Sequence, residues 1–508
     1  VVRNGLNAEV HLNGTPIASY LLSAYTSLTL NGLAGDDSLE VDYAAGDPLD
    51  TLPLTFNGDG DNDDVTVSNG AFTTITKTFT NASDGTIDLD GSTITYSGLE
   101  PVLLNVGTAA DIIFNLPAGT NADVEIGNDV AIAGNSELRG STFENTSFSN
   151  PANSLTVNMG NNGDTITVLD MDAAFNPTTA FILNGGTAAD VFQVQSTQAS
   201  GGGAYASGLT INAGDGNDTV NVGSNAPLST GDLSQIVSNL IANGQDDLNQ
   251  INISDEADTT GDTAALSASL LTGLSTGSIE YNDFAVLDLI LGTGNDQLDI
   301  TATHTTTTSI SANDGNDTLT IAGDDLRGIN DFDGNNGNDT FHVDIAAAAT
   351  IDAATLAIDG GDPASDAGNP DTLVIDDAGG ARTVKITYND TLISDVTGLG
   401  FALFTAQTME VLDYQGDATN DDAVTIVDTA SAVDSQITPS TSSSAEYIRN
   451  GGVGGDPGPD ITLSGLSALS LDGGDPVAAP GDTLTYDGSG TNSITGPGSG
   501  VISNSDPT

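Results

Sequence analysis

Five short stretches of this chain carry nearly the same glycine- and aspartate-rich corner, and each is followed at once by a short alternating strand pattern. The copies read GLAGDD at 32–37, AGDGND at 213–218, GTGND at 292–296, NDGND at 313–317 and GNNGND at 334–339. Gly, Asn and Asp tolerate the positive φ angles of tight corners, and the Thr, Val, Leu and Ile that follow favour strands. A corner that recurs in this way indicates a repeat architecture.

The last aspartate of each corner measures the repeat. From Asp37 to Asp339 the corner aspartates are separated by one unit of 21–29 residues or by about two such units. A unit of this size is one coil of a parallel β-helix, which we expect to hold about three short strands and three corners. The predicted fold class is therefore all-β, a parallel β-helix (β-solenoid) of roughly 20 coils at roughly 25 residues each. Tandem β-sandwich domains are the alternative, although their repeats are longer and their cores are usually centred on Trp, which is absent.

The amino-acid composition of the sequence changes after about residue 439. Residues 1–439 are predicted to form the solenoid repeats, and residues 440–508 a looser continuation of them. We expect the C-terminal coil to be completed by the first strands of the next subunit, and the alternative is that the chain is a fragment of a longer repeat protein. Helical periodicity is weak, with 232–242 and 264–271 the best candidates for short helices.

The charge of the chain limits its partners. Seven Lys and Arg face 71 Asp and Glu, which gives a formal net charge of −64. Nucleic acid is excluded as a partner because phosphate binding needs a basic face, and no apolar run is long enough for direct membrane insertion. Repulsion on this scale opposes a compact state, so we expect divalent cations to neutralise it; very high salt or simple hydration of the surface are the alternatives.

The corners concentrate the oxygen atoms that calcium prefers, namely carboxylates, amide oxygens and freed backbone carbonyls. In a parallel stack, like-charged corners lie about 5 Å apart and repel one another unless a cation lies between them. Calcium is therefore the predicted cofactor. The candidate ligands are Asp36, Asp37, Asp59, Asp61, Asp63, Asp64, Asp164, Asp215, Asn217, Asp218, Asn295, Asp296, Asp314, Asn316, Asp317, Asp333, Asn338 and Asp339.

The corners resemble the second half of the calcium-binding nonapeptide of the RTX family, GGxGxDxUx. The matching stretches are 214–220, 292–298 and 337–341, and the family's calcium-binding aspartate falls on Asp218, Asp296, Asp317 and Asp339. The resemblance implies an exported bacterial protein that folds on meeting external calcium. The motif occurs singly here, whereas RTX repeats run in tandem, so the likeness does not extend to the family's β-roll. The overall amino-acid composition also resembles that of giant bacterial adhesin-like surface proteins.

A second reading of the corner aspartates needs no metal. An Asp side chain can accept hydrogen bonds from nearby backbone N–H groups and so hold a turn by itself. Two corners, ending at Asp111 and Asp190, keep the final aspartate but have Ala in place of the other oxygen donors. We therefore predict that Asp111 and Asp190 are structural.

Nothing in the sequence points to an enzyme. The basic residues are scattered, His11, His304 and His342 are isolated, and carboxylate pairs are too abundant for any one pair to be informative. We predict a non-catalytic, secreted structural protein of the bacterial cell surface that assembles head to tail into a filament or surface layer. The alternative is an adhesin or ligand-binding stalk, with glycans as the other class of partner.

Overall fold

The computed structural model describes residues 1–50, 52–346, 354–361, 371–378, 382–389, 392–409 and 411–416, and beyond these the strands from 422 to 504 given below. The chain forms two compact units. Unit 1 comprises Val1–Ser254 and Ser275–Ala285, and unit 2 comprises Asp255–Leu274 and Val286–Thr508. The described residues contain only two short 3₁₀ turns, Leu22–Ala24 and Gly323–Asp325, so both units are almost purely β.

The strands of unit 1 are short and regularly spaced. They are β1 (Val2–Asn4), β2 (Asn7–Leu12), β3 (Thr15–Leu21), β4 (Leu28–Asn31), β5 (Ser38–Asp42), β6 (Leu54–Asn57), β7 (Asp64–Phe79), β8 (Gly85–Leu89), β9 (Ser92–Ser97), β10 (Val102–Asn115), β11 (Val124–Asn128), β12 (Asn135–Arg139), β13 (Thr146–Ser149), β14 (Ser154–Gly160), β15 (Thr165–Val168), β16 (Ala180–Gly186), β17 (Val191–Val194), β18 (Gln198–Ala199), β19 (Gly203–Ala204), β20 (Leu209–Gly214), β21 (Thr219–Val222), β22 (Leu240–Asn243), β23 (Gln250–Ser254) and β26 (Ile279–Asn282).

Unit 2 continues the same pattern. Its described strands are β24 (Thr263–Leu266), β25 (Leu270–Thr272), β27 (Val286–Ile290), β28 (Gln297–Ile300), β29 (Thr307–Ser311), β30 (Asp314–Gly315), β31 (Thr318–Ala322), β32 (Ile329–Asp333), β33 (Asn336–Gly337), β34 (Thr340–Ile345), β35 (Thr355–Asp359), β36 (Thr372–Asp377), β37 (Thr383–Asn389), β38 (Leu392–Thr397), β39 (Leu403–Gln407), β40 (Val411–Gly416), β41 (Asp422–Asp428), β42 (Asp434–Thr441), β43 (Ser444–Asn450), β44 (Asp460–Ser464), β45 (Leu466–Asp472), β46 (Thr483–Tyr486) and β47 (Val501–Asn504).

Each unit is a parallel β-solenoid, which confirms the predicted fold class. In unit 1, β14, β16, β20, β22 and β26 pair in parallel as one ladder, and β11, β15, β17, β21 and β23 pair as a second ladder. In unit 2, β24, β28, β31, β34, β36, β40 and β44 form one such ladder, and β27, β29, β32, β35 and β39 form another.

The coils differ from the expected three-stranded form. Between β14 and β23 each coil contributes two ladder strands, which the aspartate corner joins on one side and a return segment of variable length joins on the other. Antiparallel hairpins such as β11–β12–β13 are inserted in some coils. The expectation of three strands and three corners is therefore wrong for these coils, because the return segments carry little strand structure.

The core and the outer surface follow from strand alternation. Inward positions carry apolar side chains stacked in register, such as Leu183 and Ile211, both fully buried. On the outward face of unit 1, six asparagines form a ladder in which each amide after the first donates to the asparagine of the preceding coil at 2.8 to 3.0 Å. This ladder consists of Asn115, Asn158, Asn184, Asn212, Asn243 and Asn282.

Several local predictions need correction. The helix candidates are wrong, because 232–242 leads into strand β22 and 264–271 contains β24 and β25. Asp111 does not stand at a corner but lies within strand β10, where its carboxylate accepts hydrogen bonds from Asn153 and Ser154. The predicted boundary at 439 lies in strand β42, and the looser packing expected after it stays a prediction. No helix among the described residues is both long and apolar enough to cross a membrane.

Candidate functional site

The last residue of most corners turns its side chain inward, under the backbone of the turn. Its Oδ1 accepts the backbone N–H of the equivalent residue one coil earlier, with N···Oδ1 distances of 2.6 to 2.8 Å. We call these residues the inner aspartate column. Its members are Asp37, Asp63, Asn121, Asp164, Asp190, Asp218 and Asn249 in unit 1, and Asp262, Asp296, Asp317, Asp339 and Asp371 in unit 2; Asp37, Asn121 and Asp262 are the first of their runs and take part only through the backbone N–H that they donate.

The second carboxylate oxygen of the column is buried. Among the described residues, Oδ2 has no hydrogen-bond partner in Asp63, Asp164, Asp190, Asp218 and Asp317, each of which is at most 1% exposed. At Asp63 and Asp190 this oxygen lies against a glycine five residues earlier, whereas Met159, Ala213 and Ala312 hold the equivalent place before Asp164, Asp218 and Asp317. A Cβ added to Gly58 or Gly185 would lie 2.5 or 2.6 Å from the Oδ2 of Asp63 or Asp190. At these two corners a side chain in place of the glycine would crowd the carboxylate.

Two asparagines show what this buried position accepts. Asn249 stands against Gly244 as Asp190 stands against Gly185, and its Nδ2 donates to the carbonyls of Gly244 and Asp246, both at 2.8 Å. Asn121 likewise donates to the carbonyls of two residues just before it. The position thus faces carbonyl oxygens. An aspartate placed there needs a proton or a cation between its Oδ2 and those carbonyls, because two bare oxygens repel.

The pKa values of the column agree with this geometry. Burial raises the pKa of Asp190 to about 7, of Asp218 to about 6 and of Asp317 to about 7. Neighbouring carboxylates add to the rise, whereas the backbone N–H bound to Oδ1 opposes it. Burial also raises the pKa of Asp164 and Asp296. Burial therefore favours the protonated form of these carboxyls.

The predicted calcium ligands fall into two groups. Asp37, Asp63, Asp164, Asp218, Asp296, Asp317 and Asp339 belong to the inner aspartate column. A second group is exposed at the corners or partly exposed, and several of its side-chain oxygens accept hydrogen bonds across adjacent coils: Asp36, Asp59, Asp61, Asp64, Asp215, Asn217, Asn295, Asp314, Asn316, Asp333 and Asn338. No three predicted carboxylates converge within 4.8 Å in the described part of the chain, so their metal binding stays a prediction. Asp190, predicted to be structural, has the same position as Asp218.

The structure brings together a cluster of three carboxylates that the sequence analysis missed. Carboxylate oxygens of Asp255, Asp258 and Asp262 all lie within 4.8 Å of one another. Burial raises the pKa of Asp262, and the charges of Asp258 and Asp296 raise it further. Thr260 donates from both its N–H and its hydroxyl to Oδ1 of Asp258 at 2.8 Å, which fixes that carboxylate. Three converging hard oxygens suit calcium. The close spacing of aspartates within 255–262 is the feature of the sequence that could have indicated this cluster.

A second group contains a histidine. Nε2 of His342 lies 3.1 Å from Oδ1 of Asp344, and Asp376 stands in register with Asp344 on the neighbouring strand. One ligand atom of each residue lies within 4.8 Å of the others. The sequence analysis treated His342 as isolated. Strand alternation places residues two positions apart on one face of the strand, so the sequence could have indicated that His342 lies beside Asp344. One imidazole and two carboxylates suit transition metals better than calcium.

No protein-family model matches this chain, and no curated protein matches it in sequence. The likeness to the RTX nonapeptide therefore remains a resemblance carried by the corner motif. Any function must be argued from the coils, their charges and the carboxylate groups described above.

Proposed function

We propose that this chain is a non-catalytic structural β-solenoid of the bacterial cell exterior, stabilised by calcium and assembled head to tail. The observation that carries the proposal is the coil-to-coil bonding at the corners. The oxygens of the column bond the backbone above and below: in Asp190, Oδ1 accepts the N–H of Asp164 and the backbone carbonyl accepts the N–H of Thr219. Hydrogen bonds of this kind hold each coil on the next, which supports a structural role for the repeat.

The calcium part of the proposal is supported by charge and position. A net charge of −64 is spread over coils whose corners repeat above one another. Most inner column carboxyls accept a backbone N–H, so we expect the ions at the exposed corner carboxylates and at the three converging carboxylates of Asp255, Asp258 and Asp262, the last of which is the first column residue of unit 2. Binding that favours the folded state raises stability by about 2.7 kcal/mol per site at a hundredfold excess over Kd.

Thermal melting tests the calcium dependence. We expect millimolar calcium to raise Tm by on the order of 5–10 °C relative to a chelator, measured by circular dichroism. Asp258→Asn keeps the Oδ1 acceptor for Thr260 but removes one of the three negative charges of the cluster formed by Asp255, Asp258 and Asp262. It should therefore reduce this rise in Tm. The matched control is Asp299→Asn, an exposed strand position outside both carboxylate groups, which should leave the rise unchanged. Equal melting in calcium and chelator would contradict the calcium dependence.

The assembly part of the proposal is supported by the first strands of unit 1. Within the described residues, β4 has a ladder partner, β6, on one edge alone. The antiparallel strands β2 and β3 and the turn between β1 and β2 carry apolar side chains that are largely exposed: Leu6 at 73%, Leu12 at 61% and Ile17 at 61%. An open parallel edge beside exposed apolar surface is a template for another coil, and a second copy of this chain supplies one.

Electron microscopy tests the assembly. We expect filaments in calcium and dispersed particles in chelator, because two chains of this charge repel until cations screen them. Leu12→Asp combined with Ile17→Asp should abolish filaments in calcium while leaving the circular dichroism spectrum unchanged. Monomers alone, at high protein concentration and in calcium, would rule out head-to-tail assembly.

A ligand-binding stalk is the second candidate, and one feature of unit 2 favours it. An outer-face groove of about 340 Å³ is lined by hydroxyl, carboxylate and amide side chains that suit a sugar. They include Ser309, Ser311, Asp331, Thr405 and Gln407. Oligosaccharide binding that is lost in Asp331→Ala and retained in Asp299→Ala would favour this function over the filament.

A further inference from the structure

A lysine occupies a core position in unit 1. Strand β7 alternates between inward and outward residues, and Lys77 takes the inward place between Ile75 and Phe79. Its side chain is 0% exposed. The chain contains only one other lysine, Lys385. The alternation in 75–79 predicts this burial, but the sequence analysis grouped Lys77 with the scattered basic residues.

The surroundings of Lys77 are one carboxylate and aromatic rings. Its Nζ lies 2.7 Å from Oε1 of Glu144, whose side chain is also 0% exposed. The rings of Phe79 and Tyr96 lie 4.7 and 4.8 Å from Nζ, and Phe143 packs against Phe79 at 4.6 Å between ring centroids. This pocket excludes water from both reactive groups.

The hydrogen bonding of the pair is incomplete. No acceptor among the described residues meets the geometry of a hydrogen bond from Nζ, and Oε2 of Glu144 has no partner either. The Tyr96 hydroxyl donates to Oε1 of Glu144. A buried ammonium needs several hydrogen bonds to be stable, so this environment favours the neutral form of the amine. Burial accordingly lowers the pKa of Lys77 to about 8, against the opposing effect of Glu144.

We propose that Lys77 and Glu144 join in an intramolecular amide bond once the chain has folded. Proton transfer within the pair gives a neutral amine and a carboxylic acid. The amine lone pair then attacks Cδ of Glu144, and the N–C bond forms. The C–Oε2 bond breaks, and that oxygen leaves as water with two protons, one from the carboxylic acid and one from the nitrogen. An ammonium and a carboxylate thus become one amide and one water, so the step needs no oxidant or co-reactant.

The fold supplies what this condensation needs. The pocket holds the two reacting groups in contact, and orientation of this kind is equivalent to a very high effective concentration. The Tyr96 hydroxyl is placed to stabilise the negative charge that develops on Oε1. The product removes two buried charges and ties β7 to the segment before β13, 67 residues further along (144 − 77). The cross-link would serve a chain with no cysteine as a disulfide serves others.

The mass of the intact, denatured full-length protein tests the proposal. We expect a mass about 18 Da, one water, below the value calculated from the sequence. A protease that cuts before Asp should release residues 64–83 joined to residues 129–163. The Lys77→Met variant should have its full calculated mass. The control Lys385→Met makes the same change at an exposed strand position and should keep the deficit.

Two results would overturn the cross-link. One is a full calculated mass for the wild-type protein after long incubation in the folded state. The other is a deficit that persists in Lys77→Met, because the water would then be lost elsewhere, for example at an Asp–Gly pair of the corners. The peptide map of the wild-type protein decides the question even if Lys77→Met fails to fold.

Discussion

Replacing Asp190, Asp218 and Asp317 together by Asn should stabilise the protein at pH 8 in chelator, by about 1 kcal/mol for each substitution. The structure of Asn249 explains the sign. Its Oδ1 still accepts the N–H of the neighbouring coil, and its Nδ2 donates to the carbonyl of Gly244 at 2.8 Å. An ionised aspartate in the same position leaves Oδ2 buried without a donor. The unfolding midpoint in urea, followed by circular dichroism, measures the gain.

The pH dependence of stability provides the second readout of the same variant. Burial raises the folded pKa of these carboxyls to about 6 or 7, so between about pH 4 and pH 7 the folded state binds more protons than the unfolded state. Their contribution to stability is therefore present at low pH and is lost as pH rises through the folded pKa. The triple variant should lose less stability than the wild-type protein between pH 5 and pH 8.

A matched control separates this effect from simple loss of charge. Asp123, Asp283 and Asp299 are exposed and are not among the carboxylates that raise the pKa values of the column, and replacing all three by Asn removes the same formal charge. This control should shift the midpoint by a few tenths of a kcal/mol at most and keep the wild-type pH dependence. If both variants gain equally, the gain comes from net charge and not from the buried oxygens. We also expect the column variant to keep its calcium response, and a lost response would make the column aspartates ligands.

The corner sequence predicted the solenoid because strand alternation and turn chemistry are local properties. The cross-section of the coil was not predictable in the same way. It depends on return segments such as 195–208, which have no clear period and fold against neighbouring coils. The expectation of three strands per coil came from repeat length alone, and length does not fix how much of a coil is strand.

The candidate site was predicted only in part, for a related reason. The corner motif is marked by its aspartate, so it reveals Asp218 and Asp317 but not Asn121 and Asn249, which occupy the same column. Spacing also placed Asp111 at a corner, although β10 continues through it. The roles of the two carboxylate oxygens depend on contacts with the adjacent coil. A single sequence does not show which coil segments lie in register.

Replacing Gly186 by Ala should destabilise unit 1 by about 3–4 kcal/mol, measured as the unfolding midpoint in urea. Gly186 stands in register between Gly160 and Gly214 at the start of the corner, with φ of 126°. A Cβ there would lie 1.6 Å from the carbonyl oxygen of Gly160. That oxygen belongs to the backbone of the stacked coil, so relief requires the coils to separate. Hydrogen exchange should show lost protection at the amide of Asp215, which bonds the carbonyl of Gly186.

Gly201→Ala distinguishes close packing from backbone strain. Gly201 also has a positive φ, 98°, but nothing lies within 4 Å of the Cβ that would be added. It should therefore lose only about 1 kcal/mol, the cost of placing Ala in that backbone conformation. The difference between the two variants measures the close approach of stacked corners. Equal losses would mean that conformation alone selects glycine, and the glycine stack would then have no role in holding adjacent coils at their spacing.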